Sequence, residues 1–319
     1  MNTLVQSVID KELQNFKTFE DNELSSLDND SVFLLRDSGG IRVISKPGLD
    51  QGTLYRLQLL MPYVGPSMNK YVPVNNGILL YLGDLLSISH NKNFPVLCMC
   101  KTKDTNGVLI PNIDFFTRIL FHNLNLAKRD IEFKKKNNSS IFIGASTGSL
   151  ENNTRVKYSI SCIGNSKHKG YICPLLQHTD SEWTERYPLV KNVLHDSISV
   201  NDQLEHKILV NIDGNTLCWS RLYWQMMSNS IPVYINPSKN HFQLFDHLPN
   251  KNCYIKSSLD DCFSVYEYIF DPKNLDHVSE LINNGKNYCD SLFSDFLTNP
   301  DQFLHSVMDY TISNLFVKI

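Results

Sequence analysis

Long apolar runs are missing from this 319-residue sequence. Nothing approaches the roughly 18 consecutive apolar residues that cross a bilayer, so no transmembrane segment is expected. An excess of charge of one sign is missing too. The 30 Lys and Arg are balanced by 33 Asp and Glu, for a net charge of −3, which leaves too little positive charge for a nucleic-acid binder held by counterion release. The eight cysteines form no CxxC pair that could seed a zinc site. Cys98 and Cys100 alternate inside an apolar run, as buried strand residues do, and Cys162, Cys173, Cys218, Cys253, Cys262 and Cys289 are scattered. The opening MNTLVQSVIDKELQNF has early acids and no continuous apolar stretch, so no signal peptide is expected. Reduced core thiols follow, and the Asn-x-Ser/Thr matches at Asn137, Asn138 and Asn152 would meet no glycosylation machinery. There is no GxGxxG to cradle a dinucleotide and no GK[ST] ending of a P-loop, which weakens a nicotinamide oxidoreductase. The ten histidines make neither HxH nor HExxH.

What is present is a globular composition, 42% hydrophobic and 20% charged. This excludes intrinsic disorder, and the length suits about two domains. The first 30 or so residues are polar, with one amphipathic stretch at helical spacing (Leu4, Val5, Val8, Ile9, Leu13). Two short strand patterns, 32–35 and 41–44, flank Asp37-Ser38-Gly39-Gly40, a hairpin turn signal. The runs ILLYLGD (78–84) and FPVLCMC (94–100) read as strands buried on both faces, and 113–126 as a helix. Lys134-Lys135-Lys136-Asn137-Asn138 reads as a solvated break, and the domain boundary is placed there. Beyond it, SIFIGAS (140–146), VKYSISCI (156–163), HKILVNID (206–213), IPVYI (231–235) and NCYIKS (252–257) read as strands. Helical patterns fill 184–195, 219–228, 260–270, 274–290 and 301–316. The alternation predicts an α/β protein of two doubly wound, Rossmann-like domains facing across a cleft, 1–135 and 136–299, with a final helix (300–319) packing back on the first.

Three strand ends carry chemistry. In KILVNIDGNTLCWSRLYW, a buried strand ends before Asp213-Gly214-Asn215-Thr216, and a helix follows with Trp219, Ser220 and Arg221 near its start. Ligands of doubly wound sheets bind beyond such strand ends, where a helix start and a guanidinium favour a phosphate. Gly144-Ala145-Ser146-Thr147-Gly148-Ser149 is a second loop, small enough for close backbone approach, with hydroxyls for phosphate or sugar and Arg155 a few residues on. Asp84 closes the strand ILLYLGD, where a general base would be placed. Lys101 and Thr102 close the next strand, and Pro111 and Asp114 follow in IPNIDFF. Each feature also has a plain structural reading: a capped helix with a surface arginine, a turn between strands, a capping aspartate. Trp219 is the aromatic placed near the ligand, whereas Tyr223 and Trp224 at helical spacing read as core.

The order Asp84, PVLCMCKT (95–102), IPNIDFF (110–116), IFIGASTGSLENNTRVKYS (141–159) and SVNDQLEHKILVNIDGNT…SRLYW…SNSIPVY (199–234) resembles glycosyltransferase family 90 over about residues 75 to 290. That family includes protein O-glucosyl- and O-xylosyltransferases, capsule xylosyltransferases and lipopolysaccharide glycosyltransferases. The resemblance implies a GT-B-type fold, a UDP-sugar donor (UDP-glucose or UDP-xylose), inversion at the anomeric carbon and no required metal. It assigns Asp84 as the base that deprotonates the acceptor hydroxyl and Arg221 as the diphosphate arginine. Gly144, Ser146, Thr147, Arg155, Asp213, Gly214, Asn215, Trp219 and Ser220 fall on the donor side, and Lys101, Thr102, Pro111 and Asp114 on the acceptor side. The sequence departs from the family at Ile143, where an arginine often precedes the glycine, and in one extra residue between Gly214 and Arg221.

The expected partners are a UDP-sugar and a glycan or glycolipid acceptor, with no nucleic acid. A cytoplasmic enzyme building a surface glycan suits a bacterium or a virus-infected host cell. The amphipathic N-terminal stretch and Lys134–Lys136 offer a weak peripheral membrane contact. Two rivals stay open: an inactive glycan-binding or scaffold protein of the same fold, and a metal-dependent glycosyltransferase using Asp-x-Asp. For the latter, Asp28-Asn29-Asp30 lies in a polar stretch rather than after a buried strand.

Overall fold

The computed structural model describes residues 3, 6, 7, 10, 29–86, 96–105, 107–218, 220–244 and 252–317. Leu4, Val5, Val8, Ile9 and Leu13 of the N-terminal stretch, Asp28 and Trp219 lie outside the described residues. The chain forms two compact units: Met1–Phe121 with Asn240–Leu248 and Leu292–Ile319, and His122–Lys239 with Pro249–Ser291.

In the first unit, β1 (Ser31–Asp37) and β2 (Gly40–Ser45) make the hairpin. The Asp37 carboxylate accepts the Gly39 N–H at 2.8 Å, and Gly40 takes a φ of +132° that suits glycine. A long helix, α1 (Gln51–Tyr71), follows, its N-terminus capped by Asp50. Then come β3 (Asn76–Tyr81), β4 (Val96–Cys98), β5 (Cys100–Thr102) and β6 (Val108–Leu109). Helix α2 starts at Ile113–Phe115, passes a π-turn at Phe116–Leu120 and continues as Phe121–Lys128. The sheet has the order β2-β1-β3-β4-β6. It is mixed, not the parallel sheet the alternation predicted: β1 is antiparallel to both β2 and β3, and only β3, β4 and β6 run parallel. A two-residue turn can join only antiparallel strands, so the hairpin dictates that edge. FPVLCMC also divides, because β5 leaves the main sheet to join a separate ladder.

The second unit contains β7 (Asn137–Gly144), α3 (Thr154–Ser161), β8 (His168–Ile172), α4 (Asp180–Arg186), α5 (Val200–Leu204), β9 (His206–Ile212), α6 (Arg221–Met227) and β10 (Ile231–Ile235). Next in the chain, β11 (His241–Gln243) belongs to the first unit, where it pairs with β5; then come β12 (Ile255–Ser257) and α7 (Cys262–Phe270) of the second unit, α8 (Leu275–Thr298), which spans the boundary, and α9 (Pro300–Val317), again of the first unit. Helix α9 packs on α1, where the Tyr63 hydroxyl donates to Asp301 at 2.9 Å.

The segment VKYSISCI is a helix and not the expected strand. Asn153 caps it, accepting the Val156 N–H at 3.0 Å, and Arg155, Val156, Tyr158 and Ser159 are buried at helical spacing. The missing strand is β8, whose Gly170 lets Ser159 approach so closely that a Cβ would sit 2.7 Å from its Cα. The pattern at 184–195 shortens to α4 and a 3₁₀ turn at Val190–Val193, with Pro188 lying between them.

All strands of the second sheet run parallel, in the order β12-β10-β9-β7-β8. From β7 the chain steps outward to β8, then returns to place β9 on the other flank. The strand order therefore reverses between β7 and β9. Phe142, Val210, Ile212 and Val233 share one face of this sheet and form one core with Tyr158 of α3, Trp183 of α4 and Tyr266 of α7. Lys134–Lys136 falls inside this unit, and Lys136 is not solvated: it is buried in an ion pair with Asp130 at 2.7 Å.

Candidate functional site

In doubly wound sheets the crevice for ligands lies at the carboxyl ends of the strands where the order reverses. Here those ends are Gly144 of β7 and Ile212 of β9.

The loop after β7 is pinned from below. Ser146 is fully buried; its Oγ accepts the Leu176 N–H at 2.8 Å and donates to the Leu176 carbonyl at 3.3 Å. The Asn153 side-chain amide donates to the carbonyls of Ser146 (2.8 Å) and Thr147 (3.3 Å). Gly148 adopts φ +116° and donates its N–H to Gln177 at 3.0 Å. The Ser146 hydroxyl is thus engaged by protein.

Arg155 reaches across from the first turn of α3. Its Nε donates to the carbonyls of Ile212 and Asp213, each at 3.1 Å, and its Nη1 to the Ala145 carbonyl at 2.9 Å and Thr147 Oγ1 at 2.8 Å. One guanidinium therefore bridges the loops of both strands. Gly214 is required beside it, since a Cβ there would lie 3.0 Å from Arg155 Cζ and would collide with Thr147 Oγ1. The Asp213 carboxylate accepts the Tyr234 hydroxyl and the Ser238 N–H (2.8 Å), tying the end of β9 to that of β10. Asn215 is exposed and Ser220 is buried without a side-chain capping bond.

Arg221 is differently placed. Its guanidinium lies over the Phe142 ring, 5.6 Å from the centroid, and against Gly144, where a Cβ would sit 3.4 and 3.5 Å from its two terminal nitrogens. Nη1 is buried and has no hydrogen-bond partner among the described residues. Burial lowers the pKa of both arginines; that of Arg155, also opposed by Arg221, falls to about 10, so it stays protonated near neutral pH. A half-buried guanidinium whose buried Nη1 has an unused N–H donor can take an anion. Helix α6 has only seven residues, so the charge comes from the guanidinium rather than from a helix end.

The remaining sequence candidates lie in the first unit. Asp84 follows β3 at its carboxyl end. Its Oδ1 accepts from Arg56 Nη2 at 2.7 Å, Arg56 Nη1 also holds the Leu82 carbonyl at 2.6 Å, and the carboxylate is 43% exposed. Lys101 Nζ donates to the Gly107 carbonyl at 2.7 Å. Thr102 pairs with His241 across the β5–β11 ladder, and its Oγ1 is buried without a partner among the described residues. Pro111 is buried, and Asp114 in the first turn of α2 pairs with Arg118. Asp30 accepts the Thr53 hydroxyl at 3.0 Å, which ties it to the start of α1. Among the described residues no cluster of His, Cys, Asp and Glu is arranged to hold a metal ion.

Sequence reasoning missed Asn153 and Tyr234, which hold the loops, and Phe142, on which Arg221 rests. Tyr234 left a trace, being a polar-tipped residue near the carboxyl end of the buried strand IPVYI. No family model matches the sequence, and neither does any characterised protein. No helix among the described residues is long and apolar enough to cross a membrane.

Proposed function

We propose that this chain is an inverting glycosyltransferase that moves glucose or xylose from a UDP-sugar to a hydroxyl of a surface glycan or glycolipid, without a required metal, in the cytoplasm. The observation that carries the reading is the buried, unpartnered Nη1 of Arg221 at the reversal point of a parallel sheet. The ordered resemblance to glycosyltransferase family 90 supplies the substrate class and supports a GT-B-type arrangement.

In this reaction the acceptor oxygen bonds to the anomeric carbon while the bond from that carbon to the UDP oxygen breaks. The bonding pair leaves with the β-phosphate, where Arg221 offsets the developing charge. Asp84 takes the acceptor proton as attack proceeds. Release of UDP from a panel of UDP-sugars, with EDTA and manganese in parallel, tests the proposal. Turnover of UDP-glucose or UDP-xylose in EDTA supports it, whereas activity only with manganese overturns the metal-independent form.

The Arg56–Asp84 pair favours a second reading, in which the carboxylate is structural and the protein binds a nucleotide sugar without turning it over. Asp84→Asn separates the two. An enzyme loses at least about 100-fold in turnover with UDP affinity largely kept, whereas a binding protein shows no turnover to lose.

A further inference from the structure

Three large aromatic side chains are exposed among the described residues: Tyr55, Phe121 and Tyr268. Phe121 packs edge-on against Phe296, and the Tyr268 hydroxyl bonds His277 Nδ1 at 3.0 Å. Tyr55, in the second turn of α1 and 40% exposed, meets a different neighbour. The Arg118 guanidinium lies over its ring, 5.6 Å from the centroid, and is itself paired with Asp114. The topology of the first unit explains why these residues meet. Four residues join the end of α1 to the start of β3, so the first turns of α1 lie at the carboxyl end of β3, where Arg56 holds the Leu82 carbonyl. Helix α2 follows β6, so Asp114 and Arg118 leave the carboxyl end of that strand. Strands β3, β4 and β6 run parallel, and their carboxyl ends form the edge that also carries Asp84.

We propose that Tyr55, Arg118 and Asp114 form a platform for one pyranose ring of the acceptor glycan. A pyranose has an apolar face of C–H groups and a rim of hydroxyls. The Tyr55 ring offers a flat, amphipathic surface to that face. Beside it, a guanidinium fork donates to neighbouring hydroxyls and a carboxylate accepts from them. Arg118 is 52% exposed and Asp114 15%, so the cation keeps donors open while its orientation is fixed from below. The proposal rests on the glycosyltransferase reading for calling this sugar an acceptor.

The test is saturation-transfer NMR on the full chain with the methyl β-glycosides of glucose, xylose and galactose, and with UMP as a control. Wild type should transfer saturation to at least one glycoside. Tyr55→Phe should keep the signal, because stacking needs the ring and not the hydroxyl. Tyr55→Ala should lose it, and so should Tyr55→Leu, which keeps apolar bulk without a flat face and carries the comparison if the alanine variant folds poorly. Arg118→Lys keeps the charge but not the fork and should weaken the best glycoside roughly tenfold.

No signal from any glycoside on wild type would overturn the platform, as would an undiminished signal in Tyr55→Ala or Tyr55→Leu. A Tyr55-dependent signal on UMP and on none of the glycosides would overturn it too, since the ring would then serve a nucleobase. Failure of the transferase reading looks different. A protein that releases UDP from no UDP-sugar yet shows the Tyr55-dependent glycoside signal keeps the platform as a glycan-binding site. A protein that turns over UDP-sugars, with Tyr55→Leu at wild-type KM for the acceptor glycoside, keeps the transferase and loses the platform.

Discussion

Replacing Lys136 by Met tests how the second unit holds the segment that composition marks as a linker. The Lys136 ammonium and the Asp130 carboxylate are 2.7 Å apart, with side chains 0% and 2% exposed. Lys136 also donates to the Leu204 carbonyl, and Asp130 accepts the Asn229 N–H at 2.8 Å. Burial lowers the lysine pKa and Asp130 opposes that fall, the balance of a desolvated but paired ion. Breaking such a pair from one side strands the other charge, at a cost of about 3–5 kcal/mol. For a unit of this size that corresponds to a Tm loss of roughly 6–20 °C. Differential scanning calorimetry would read it directly. The double variant Lys136→Met/Asp130→Asn should recover much of the loss, because the amide oxygen can still accept from Asn229 and no charge is left buried. A single-variant shift under about 2 °C, or a double variant no better than the single, would refute the reasoning.

Gly214→Ala places a methyl against Thr147 Oγ1 and the Arg155 guanidinium. It should destabilise by about 1–3 kcal/mol and weaken pyrophosphate binding at least tenfold by calorimetric titration; wild-type affinity would deny the close approach. His206 is held near pKa 4, chiefly by burial and then by Lys169 and Lys136, with its Nδ1 bonded to Ser139 Oγ at 2.6 Å. Because the unfolded chain takes up this proton near pH 6.5 and the folded one only near 4, stability falls as pH drops through that window, by up to about 3 kcal/mol. Urea unfolding of His206→Gln across pH 4 to 7 should show a shallower dependence, and an identical slope would refute the assignment.

The legible parts of the fold were those in which one local signal had one meaning. Asp37 with Gly39 and Gly40 announced a two-residue hairpin, and the unbroken apolar runs of β7, β9 and β10 announced strands covered on both sides. Where two periods fit the same residues, the reading failed. Val156, Tyr158, Ile160 and Cys162 alternate like a strand, but Asn153 caps the chain into α3. Helix α1 carries Pro62 and Pro66 in its interior and gave no helical signal, although packing against α9 sustains it. The edge strand β8 is short and carries His168, Lys169 and Gly170, too polar to stand out. In the candidate site the sequence brought Gly144, Thr147, Arg155, Gly214 and Arg221 to one end of one sheet. It could not separate the two arginines, because that depends on which carbonyls face which guanidinium.

The difference between those arginines bears on whether the site is functional at all. A chain under selection for stability alone has no reason to keep a guanidinium nitrogen buried without an acceptor: an apolar residue resting on Phe142 would avoid the desolvation cost. Arg155 meets the structural need already, joining the two loops through four bonds. Arg221 adds nothing to that bridge, and its positive charge disfavours the charge on Arg155. Such an arrangement makes sense when an anion completes it, since the same burial that penalises the empty cation strengthens its attraction to a phosphate. On the proposed function, the capacity to bind is stored as local instability at the sheet's reversal point, and a ligand carrying paired negative charges would relieve it.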